Sequence, residues 1–274
     1  MQKPHRTFVF YEARGNPYTE DMHGLSTAQE RLLAARRVAV LTGAGVSEPS
    51  GIPTFRDSAG LWKDFDIEEY ATPGAYARNP QKVWEWYAWR YKNALQAQPN
   101  RAHVLLATLE KRLGEGFLLV TQNVDSLHGR AGSQRLIELH GNIARGRCER
   151  CNQRFALPDP DQFRPPPHCP DCGSRGRPDV VWFGEMVPEG AFELAERAFA
   201  QAQVALVIGT SAEVEPAASL GRLAGLSGAY LIEINPNPTP LSSWAHCSLR
   251  MRAVEGLEAL LNGPKAVHER PGQG

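Results

Sequence analysis

The stretch RVAVLTGAG, residues 37–45, is a short run of β-branched and aliphatic residues that ends in a glycine turn. A brief, continuous apolar run of this kind is typical of a strand buried on both faces of a parallel sheet. Three later stretches follow the same pattern, namely GFLLVTQNVD at 116–125, VALVIGTSAEV at 204–214 and AYLIEINPNP at 229–238. The sequence therefore predicts four parallel strands that all end in Gly, Asn, Asp, Thr or Ser.

Helical stretches lie between these strands, at Pro80–Gln98, Ala102–Leu113, Ala191–Gln201 and Glu215–Gly225. Strands that alternate with helices indicate a doubly wound α/β domain with a parallel sheet. In such sheets, ligands bind beyond the carboxyl ends of the strands. The functional site is therefore expected at the polar ends of the four predicted strands.

Three segments depart from this pattern. Residues 1–25 are polar and irregular, which predicts an N-terminal extension. The helix STAQERLLAARR, residues 26–37, would then begin with Thr27 as its N-cap and Glu30 completing a capping box. Residues 145–178 are rich in Pro, Arg and Cys and carry no long apolar run, which indicates a small inserted module. The α/β domain would comprise residues 26–144 and 179–262, and residues 263–274 would form a disordered tail.

The composition of the 274-residue chain, 42% hydrophobic and 22% charged, is that of a globular protein. A formal net charge of +0 gives no general attraction to nucleic acid or membrane. No apolar run approaches the roughly 20 residues of a membrane span, and the first residues have too short an apolar core for a signal peptide. We therefore expect a cytoplasmic protein with no membrane partner and no direct nucleic-acid partner.

Four of the five cysteines form two C-x2-C pairs, CERC and CPDC. Two such pairs can place four thiolates around one zinc ion in a closed tetrahedron, and a closed site is structural. The predicted ligands are Cys148, Cys151, Cys169 and Cys172. Two alternatives stay open: a pair of disulfides, which a cytoplasmic chain disfavours, and a zinc site in which the adjacent His168 replaces one cysteine.

The stretch TGAGVSEPSGIPTFRDSAGLW, from Thr42 to Trp62, follows the first predicted strand directly. Gly43 and Gly45 allow backbone amides to approach a pyrophosphate, as in dinucleotide sites. The G-x-G-x-x-G pattern is incomplete because Glu48 occupies the third glycine position. The following proline also disfavours a helix that starts at once.

These segments together resemble the sirtuins, a family of NAD-dependent protein lysine deacylases. The resemblance spans residues 38–262 and rests on GAGVSEPSGIPTFR, TQNVDSLHGRAG, LHG at 139–141, the paired cysteines, VVWFGE at 180–185, GTS at 209–211 and INPNP at 234–238. It implies a Rossmann-like NAD-binding domain, a smaller module with one structural zinc per chain, and a cleft between them. Acylated lysine side chains of proteins would be the substrates.

The resemblance assigns NAD contacts along most of the cleft. Asn123 would position the ribose and an ordered water, while Asp125 and the Val124 backbone would hold the nicotinamide carboxamide. Phe55 would cover the reacting face, and Arg56 would orient the loop. The other implied NAD contacts are Gly43, Ala44, Gly45, Ser47, Trp62, Gln122, Gly209, Thr210, Ser211, Asn235, Pro236, Asn237 and, in a poorly matched stretch, Arg252 and Ala253.

Two further assignments concern the reaction and the peptide. His140 would be the general base, since an imidazole with a pKa near 6.5 suits proton removal from a ribose hydroxyl at neutral pH. His128 would support its loop through hydrogen bonds instead. The segment Val180, Val181, Trp182, Phe183, Gly184 and Glu185 is expected to be extended, so that a substrate peptide can pair beside it as a strand.

The helix VWEWYAWRYKN, residues 83–93, carries three tryptophans, two tyrosines and an arginine. Tyr87 and Arg90 are three residues apart and share a face. One branch of the sirtuin family, which removes succinyl and malonyl groups, carries Tyr-x-x-Arg at this place and a small residue where this chain has Ala71. The resemblance therefore implies that Arg90 and Tyr87 bind an acyl carboxylate, while Ala71 leaves room for the longer chain.

Three other functions remain as alternatives. An NAD-dependent dehydrogenase would need a complete G-x-G-x-x-G with an acidic residue about 20 positions later, which is absent. A mono-ADP-ribosyltransferase would break the same glycosidic bond at the same NAD site. A zinc-ribbon module that binds DNA could use Arg147, Arg150, Arg154 and Arg164, but it would leave Asn123 and His140 unexplained.

Overall fold

The computed structural model describes residues 17–54, 65–162 and 164–262. Its main sheet consists of β1 (Val38–Thr42), β2 (Phe117–Thr121), β3 (Leu136–Glu138), β7 (Val204–Ile208), β8 (Tyr230–Ile234) and β9 (Cys247–Leu249). The strand order is β3-β2-β1-β7-β8-β9, and every pair is parallel. The predicted doubly wound parallel sheet is thereby confirmed, with two short strands added at its edges.

Alternating residues of β1 enter two separate cores, because both faces of the sheet are covered. Val38 and Val40 pack with α1 (Pro17–Ala34), α5 (Arg101–Leu113) and α9 (Ala253–Asn262). Ala39 and Leu41 pack on the other face with α7 (Glu189–Gln201) and α8 (Ser219–Leu226). Burial on both faces explains why these strands are continuous apolar runs rather than alternating ones.

The inserted module has a three-stranded antiparallel sheet of order β5-β4-β6. Its strands are β4 (Gly141–Cys148), β5 (Arg154–Ala156) and β6 (Gly176–Val180). Strand β4 begins directly after His140 and ends at the first cysteine of the metal cluster. One strand therefore connects the two places at which the sequence predicts chemistry.

A third core lies between the module and three helices, α2 (Ile67–Tyr70), α3 (Pro73–Arg78) and α4 (Pro80–Gln96). Four aromatic side chains of α4 are buried in it, Trp84, Trp86, Tyr87 and Tyr91. Trp84 is fully buried, and its indole N–H donates to the Gly176 carbonyl oxygen at 2.8 Å. Tyr76 donates to the same oxygen at 2.9 Å. Removing Trp84 would cost about 3–5 kcal/mol of stability, so the role of this tryptophan is structural.

The structure corrects several predicted boundaries. Helix α1 begins at Pro17, so Thr27 is an interior residue and the predicted irregular extension is shorter. Helix α8 begins at Ser219 rather than at residue 215. The four-residue helix α6 (Leu127–Arg130) follows the Asn-Asp motif. In the part of the chain that the structure describes, no helix has the length and apolar character needed to cross a bilayer.

Candidate active site

A cleft of about 870 Å³ opens at the carboxyl ends of β1, β2, β7 and β8 and extends to the zinc module. Of the predicted site residues, it is lined by Gly43, Ala44, Gly45, Ala71, Tyr87, Arg90, Gln122, Asn123, Val124, His140, Val180, Val181, Trp182, Phe183, Gly184, Glu185, Gly209, Thr210, Ser211, Asn235, Pro236, Asn237, Arg252 and Ala253. Phe55, Arg56 and Trp62 lie outside the described residues.

Two glycine loops meet backbone to backbone on the floor of this cleft. The Gly43 amide donates to the Ile208 carbonyl at 3.0 Å, and the Gly45 amide donates to the Gly209 carbonyl at 2.9 Å. A Cβ on Gly43 would lie 2.7 Å from both the Gly209 oxygen and the Thr210 Cβ. Gly209 has a φ of +60°, and a Cβ there would lie 2.7 Å from the Val46 nitrogen. The loop glycines are therefore required by the contact between the loops, as well as by any phosphate above them.

Asn123 is held by three hydrogen bonds. Its backbone N–H donates to Thr121 Oγ1 at 3.1 Å, and its Nδ2 donates to the Gly43 carbonyl and to Ser47 Oγ, both at 3.1 Å. Both amide hydrogens are used, so the Asn123 side-chain oxygen is fixed in direction. Ser47 itself is completely buried beneath the cleft rather than in its wall.

His103, which sequence reasoning missed, fixes the orientation of Ser47. The His103 Nδ1 accepts from the Asn100 backbone N–H at 3.2 Å as part of a helix capping box. Its proton is therefore on Nε2, which donates to Ser47 Oγ at 3.3 Å. Because Ser47 accepts from both His103 and Asn123, its own hydroxyl proton is left to donate to the Asp125 carboxylate. The only feature of the sequence that indicates this role of His103 is its position three residues after Asn100, the N-cap of α5.

Asp125 is buried behind Asn123, and burial raises the pKa of its carboxyl group. Hydrogen bonds from the Leu127 N–H, at 2.9 Å, and from Ser47 oppose this shift, as does the field of Arg90. The oxygens of the Asp125 carboxylate have the capacity to accept a further hydrogen bond. An amide NH2 in the adjacent cleft would supply it.

His140 faces the cleft from the end of β3. Its Nδ1 lies 3.2 Å from the Gln122 carbonyl oxygen, which can only accept, so Nδ1 carries the proton and Nε2 is left as the basic atom. Burial lowers the pKa of His140, while the bond to Gln122 raises it less. The imidazole is therefore neutral at pH 7 and able to take up a proton.

His128 occupies a different environment beneath the loops. Its Nε2 is 3.0 Å from Thr42 Oγ1, its ring contacts His103 at 4.7 Å between centroids, and it does not line the cleft. Burial, with a contribution from His103, lowers its pKa to about 3. These contacts support the prediction that His128 holds its loop.

The part of the cleft wall that includes Ala71, Tyr87 and Arg90, named the acyl end after the predicted role of these residues, is formed by side chains rather than by backbone. The Arg90 guanidinium lies over the rings of Trp86 and Tyr87, at 4.6 and 5.4 Å from their centroids. Tyr87 is buried, and its hydroxyl accepts from the Trp182 indole at 3.0 Å. Ala71 is only 5% exposed and lines the same end. Arg90, Tyr87 and Ala71 therefore lie together in the wall of the cleft.

The segment after β6 differs from the extended conformation that was predicted. The Val181 N–H donates to the His140 carbonyl at 2.9 Å, but the Glu185 N–H then returns to the Trp182 carbonyl at 3.0 Å. Gly184 has a φ of +86°, so the chain turns at Phe183 and Gly184. Only the first part of this segment can pair with a peptide as a strand.

The sequence model of the Sir2 family matches residues 43–216. This chain belongs to the Sir2 family. An NAD-dependent protein deacylase from Thermus thermophilus is 65% identical to it over 243 residues, which cover 88% of this chain and 95% of that relative. A solved Sir2 homologue in complex with ADP-ribose matches with a TM-score of 0.82 at 46% identity, over 86% of this chain and 94% of that one. Another Sir2 structure, with a deacetylated peptide and 3'-O-acetyl ADP-ribose, has a TM-score of 0.78 at 35% identity, over 86% of this chain and 96% of that one.

The four module cysteines of this Sir2 chain have the geometry of a zinc site. Their Sγ atoms all lie within 4.8 Å of one another, and three of the separations are 3.4, 3.6 and 3.7 Å. Four sulfurs at about 2.3 Å from one tetrahedral zinc would be separated by about 3.8 Å. A disulfide would require about 2.05 Å. The four cysteines therefore fit a structural zinc without a histidine ligand, and their separations are too long for the disulfide alternative.

The loop after β8, which lines the Sir2 cleft, is held together by a residue that sequence reasoning missed. Glu233 is buried at the end of β8, and its carboxylate accepts from Thr239, Ser242 at 2.7 Å, Ser248 at 3.1 Å and Arg250 at 2.8 Å. These donors fix the loop after β8, which carries Asn235 to Pro240 along the cleft wall. The feature of the sequence that indicates this role is a glutamate inside the otherwise apolar strand YLIEI.

Proposed function

We infer that this Sir2 protein is an NAD-dependent protein-lysine deacylase, and we propose that it prefers succinyl- and malonyl-lysine to acetyl-lysine. The products would be nicotinamide, the free lysine and 2'-O-acyl-ADP-ribose. The first statement follows from family membership and from relatives named NAD-dependent protein deacylase. The preference rests on one observation, the placement of Arg90 and Tyr87 together at the acyl end of the cleft.

NAD, when bound, supplies a ribose carbon that becomes electrophilic as nicotinamide leaves. The residues of this chain position the reactants around that carbon. Asp125, with its remaining acceptor capacity, would hold the nicotinamide amide, and Asn123 would direct its fixed oxygen toward the ribose. The closely packed loops of Gly43 and Gly209 would place backbone amides along the pyrophosphate.

His140 would act as the base. Its Nε2 is free of a proton because Nδ1 donates to the Gln122 carbonyl. It would therefore accept the proton of a ribose hydroxyl when that hydroxyl attacks the acyl carbon. The lowered pKa keeps the imidazole in its basic form at neutral pH.

The proposed preference follows from the cost of burying an anion. An acetyl group carries no charge, whereas a succinyl or malonyl group brings a carboxylate into a site walled by Trp182, Val181 and Tyr87. An unpaired carboxylate there would lose several kcal/mol of hydration free energy. The Arg90 guanidinium is permanently charged and can bind it with two hydrogen bonds, while Tyr87 offers a third donor.

Steady-state kinetics of Arg90→Met with matched succinyl and acetyl peptides tests this proposal. The succinyl KM should rise at least about tenfold, since a charge-assisted hydrogen bond contributes about 1.5–3 kcal/mol. The acetyl kcat/KM should change by less than about threefold. Lys92→Met, on the exposed side of the same helix, should leave both substrates unchanged.

Equal losses on both peptides would contradict the preference without affecting the assignment as a deacylase. A wild-type protein that consumes NAD but transfers ADP-ribose to protein instead of deacylating lysine would contradict that assignment. Mass spectrometry of the peptide and protein products distinguishes these two results.

A further inference from the structure

Four arginines share one face of the small three-stranded sheet. The strand register places Arg147 of β4 directly opposite Arg154 of β5 and Arg177 of β6. Arg145 lies two residues before Arg147 and therefore on the same face. The adjacent Cys148 points to the other face, so this row is separate from the metal cluster. Like charges directly opposite one another are destabilising, and the row therefore requires compensating anions.

Three acidic groups compensate three of these arginines. Asp179, whose side chain is 5% exposed, accepts from Arg145 at 3.1 Å and from Arg154 at 3.2 Å. Arg145 also pairs with Glu138 at 2.9 Å. Both acids therefore make their ion pairs with arginines other than Arg147, although the field of Asp179 also acts on Arg147.

The third acid, Glu185, binds the guanidinium of Arg177 at 2.5 and 2.8 Å. Arg147 is half-buried, yet the structure gives its side chain no hydrogen bond or ion pair within residues 17–54, 65–162 and 164–262. Four cations thus face three anions, and the excess charge is on Arg147.

Arg147 lines a second cavity of about 250 Å³, separate from the catalytic cleft. Arg145 and Arg154 line it together with Arg147, as do the carboxylates of Asp179 and Glu138, which pair with Arg145. Leu136, Ile137, Ala191 and Leu194 supply an apolar wall. Leu194 is 56% exposed, so its side chain is accessible from this cavity.

We propose that this second cavity binds a small monocarboxylate with a short aliphatic chain. One excess positive charge matches a monoanion, whereas a phosphate dianion would leave a negative excess. The planar guanidinium of Arg147 matches a carboxylate with two parallel hydrogen bonds. The apolar wall would then cover the aliphatic chain. Val180 and Val181 line both cavities, so the ligand would lie behind the wall of the substrate cleft.

Calorimetric titration with hexanoate tests this site. A carboxylate could also enter the catalytic cleft at Arg90, so the titration is made on wild type and on Arg90→Met, and the proposal concerns the binding that survives in the variant. An affinity of about millimolar is expected for a ligand of this size. Introducing Arg147→Gln into the Arg90→Met variant should weaken hexanoate binding at least about tenfold. Introducing Arg150→Gln instead should leave hexanoate binding unchanged, because Arg150 is exposed and lies outside the cavity.

Two controls separate a binding site from a structural arginine. Hexanamide, which has the same shape without the charge, should bind at least about tenfold more weakly than hexanoate. Arg147→Gln without ligand should melt no lower than wild type, because it removes repulsion from Arg154 and Arg177. The proposal would be overturned if Arg147→Gln bound hexanoate as tightly as the protein with Arg147, or if no hexanoate binding were seen at about 10 mM. Equal binding of hexanamide and hexanoate would also overturn it. So would a marked loss of thermal stability in Arg147→Gln.

Discussion

The two ends of the catalytic cleft differ in the groups that form them, which are main-chain atoms at one end and side chains at the other. The NAD end consists of two glycine loops in backbone contact, with polar side chains fixed from below by Ser47 and His103. The acyl end consists of side chains from α4 and the segment after β6, packed as an aromatic cluster. A substitution in the glycine loops disturbs main-chain contacts and therefore the fold, whereas a substitution at the acyl end alters one side chain and leaves the others in place. We therefore expect perturbations of the NAD end to affect all substrates, and those of the acyl end to affect only selectivity.

Loss of zinc should have the largest effect, because it should disrupt both ends together. Strand β4 begins beside His140 and ends at Cys148, and the segment after β6 leads into the acyl end. Cys148→Ser should abolish zinc binding, and with it a free energy of binding that is typically about 10–16 kcal/mol in small zinc domains. Metal analysis and far-UV circular dichroism would measure this. A purified wild type without about one zinc per chain would contradict the assignment.

His140→Ala should be the next most severe change and should act on all substrates alike. Removal of a general base usually costs a factor of about 10²–10⁴ in turnover. We expect the same loss for acetyl and succinyl peptides, with zinc content and melting temperature retained. More than about a tenth of wild-type turnover in the variant would be incompatible with the role of His140 as base.

The buried histidines His103 and His128, which lie beneath the NAD end, should make the stability of the folded protein fall at acidic pH. Burial lowers the pKa of His103 to about 4 and, with the field of His103, that of His128 to about 3. Both groups titrate near 6.5 in an unfolded chain, so the unfolded state binds more protons at lower pH. Stability is therefore full above pH 6.5 and should fall as the pH drops toward 4, by about 3 kcal/mol for His103 alone.

Urea unfolding at pH 7.5, 6 and 5 would measure this loss. His128→Gln retains a donor for Thr42 and cannot titrate, so its stability should depend less on pH than that of wild type. A free energy of unfolding that is constant from pH 7.5 to 5 in the wild type would disprove this account.

Ala71→Val should have the smallest effect and should be confined to the acyl end. Ala71 lies beside Tyr87 and Arg90 in the cleft, and its carbonyl accepts from Phe183 at 2.9 Å. Two additional methyl groups would narrow the space for a long acyl chain at a cost of about 1–3 kcal/mol. The succinyl KM should therefore rise about tenfold, and the NAD KM should stay unchanged. A rise in the NAD KM would show that the two ends are not independent.

The sequence was sufficient to predict the four central strands because each is a continuous apolar run with a polar end. It was not sufficient for β3 and β9, since three residues are too few to show a period. The turn at Gly184 follows Trp182, whose indole bonds to Tyr87, a residue distant in the chain, so the local sequence alone did not predict it. The family motifs indicated most residues that line the cleft, whereas His103 and Glu233 act from behind it and carry no motif of their own.

The backbone contact between the two glycine loops also limits how this sequence can vary. Gly43 and Gly45 each face Gly209, and a methyl group on any one of them would meet main-chain atoms of the other loop within 3 Å. Neither loop can compensate for such a change, because the obstacle is backbone rather than a replaceable side chain. Random mutagenesis with selection for activity should therefore recover glycine at all three positions. The neighbouring Ala44 should tolerate other small residues.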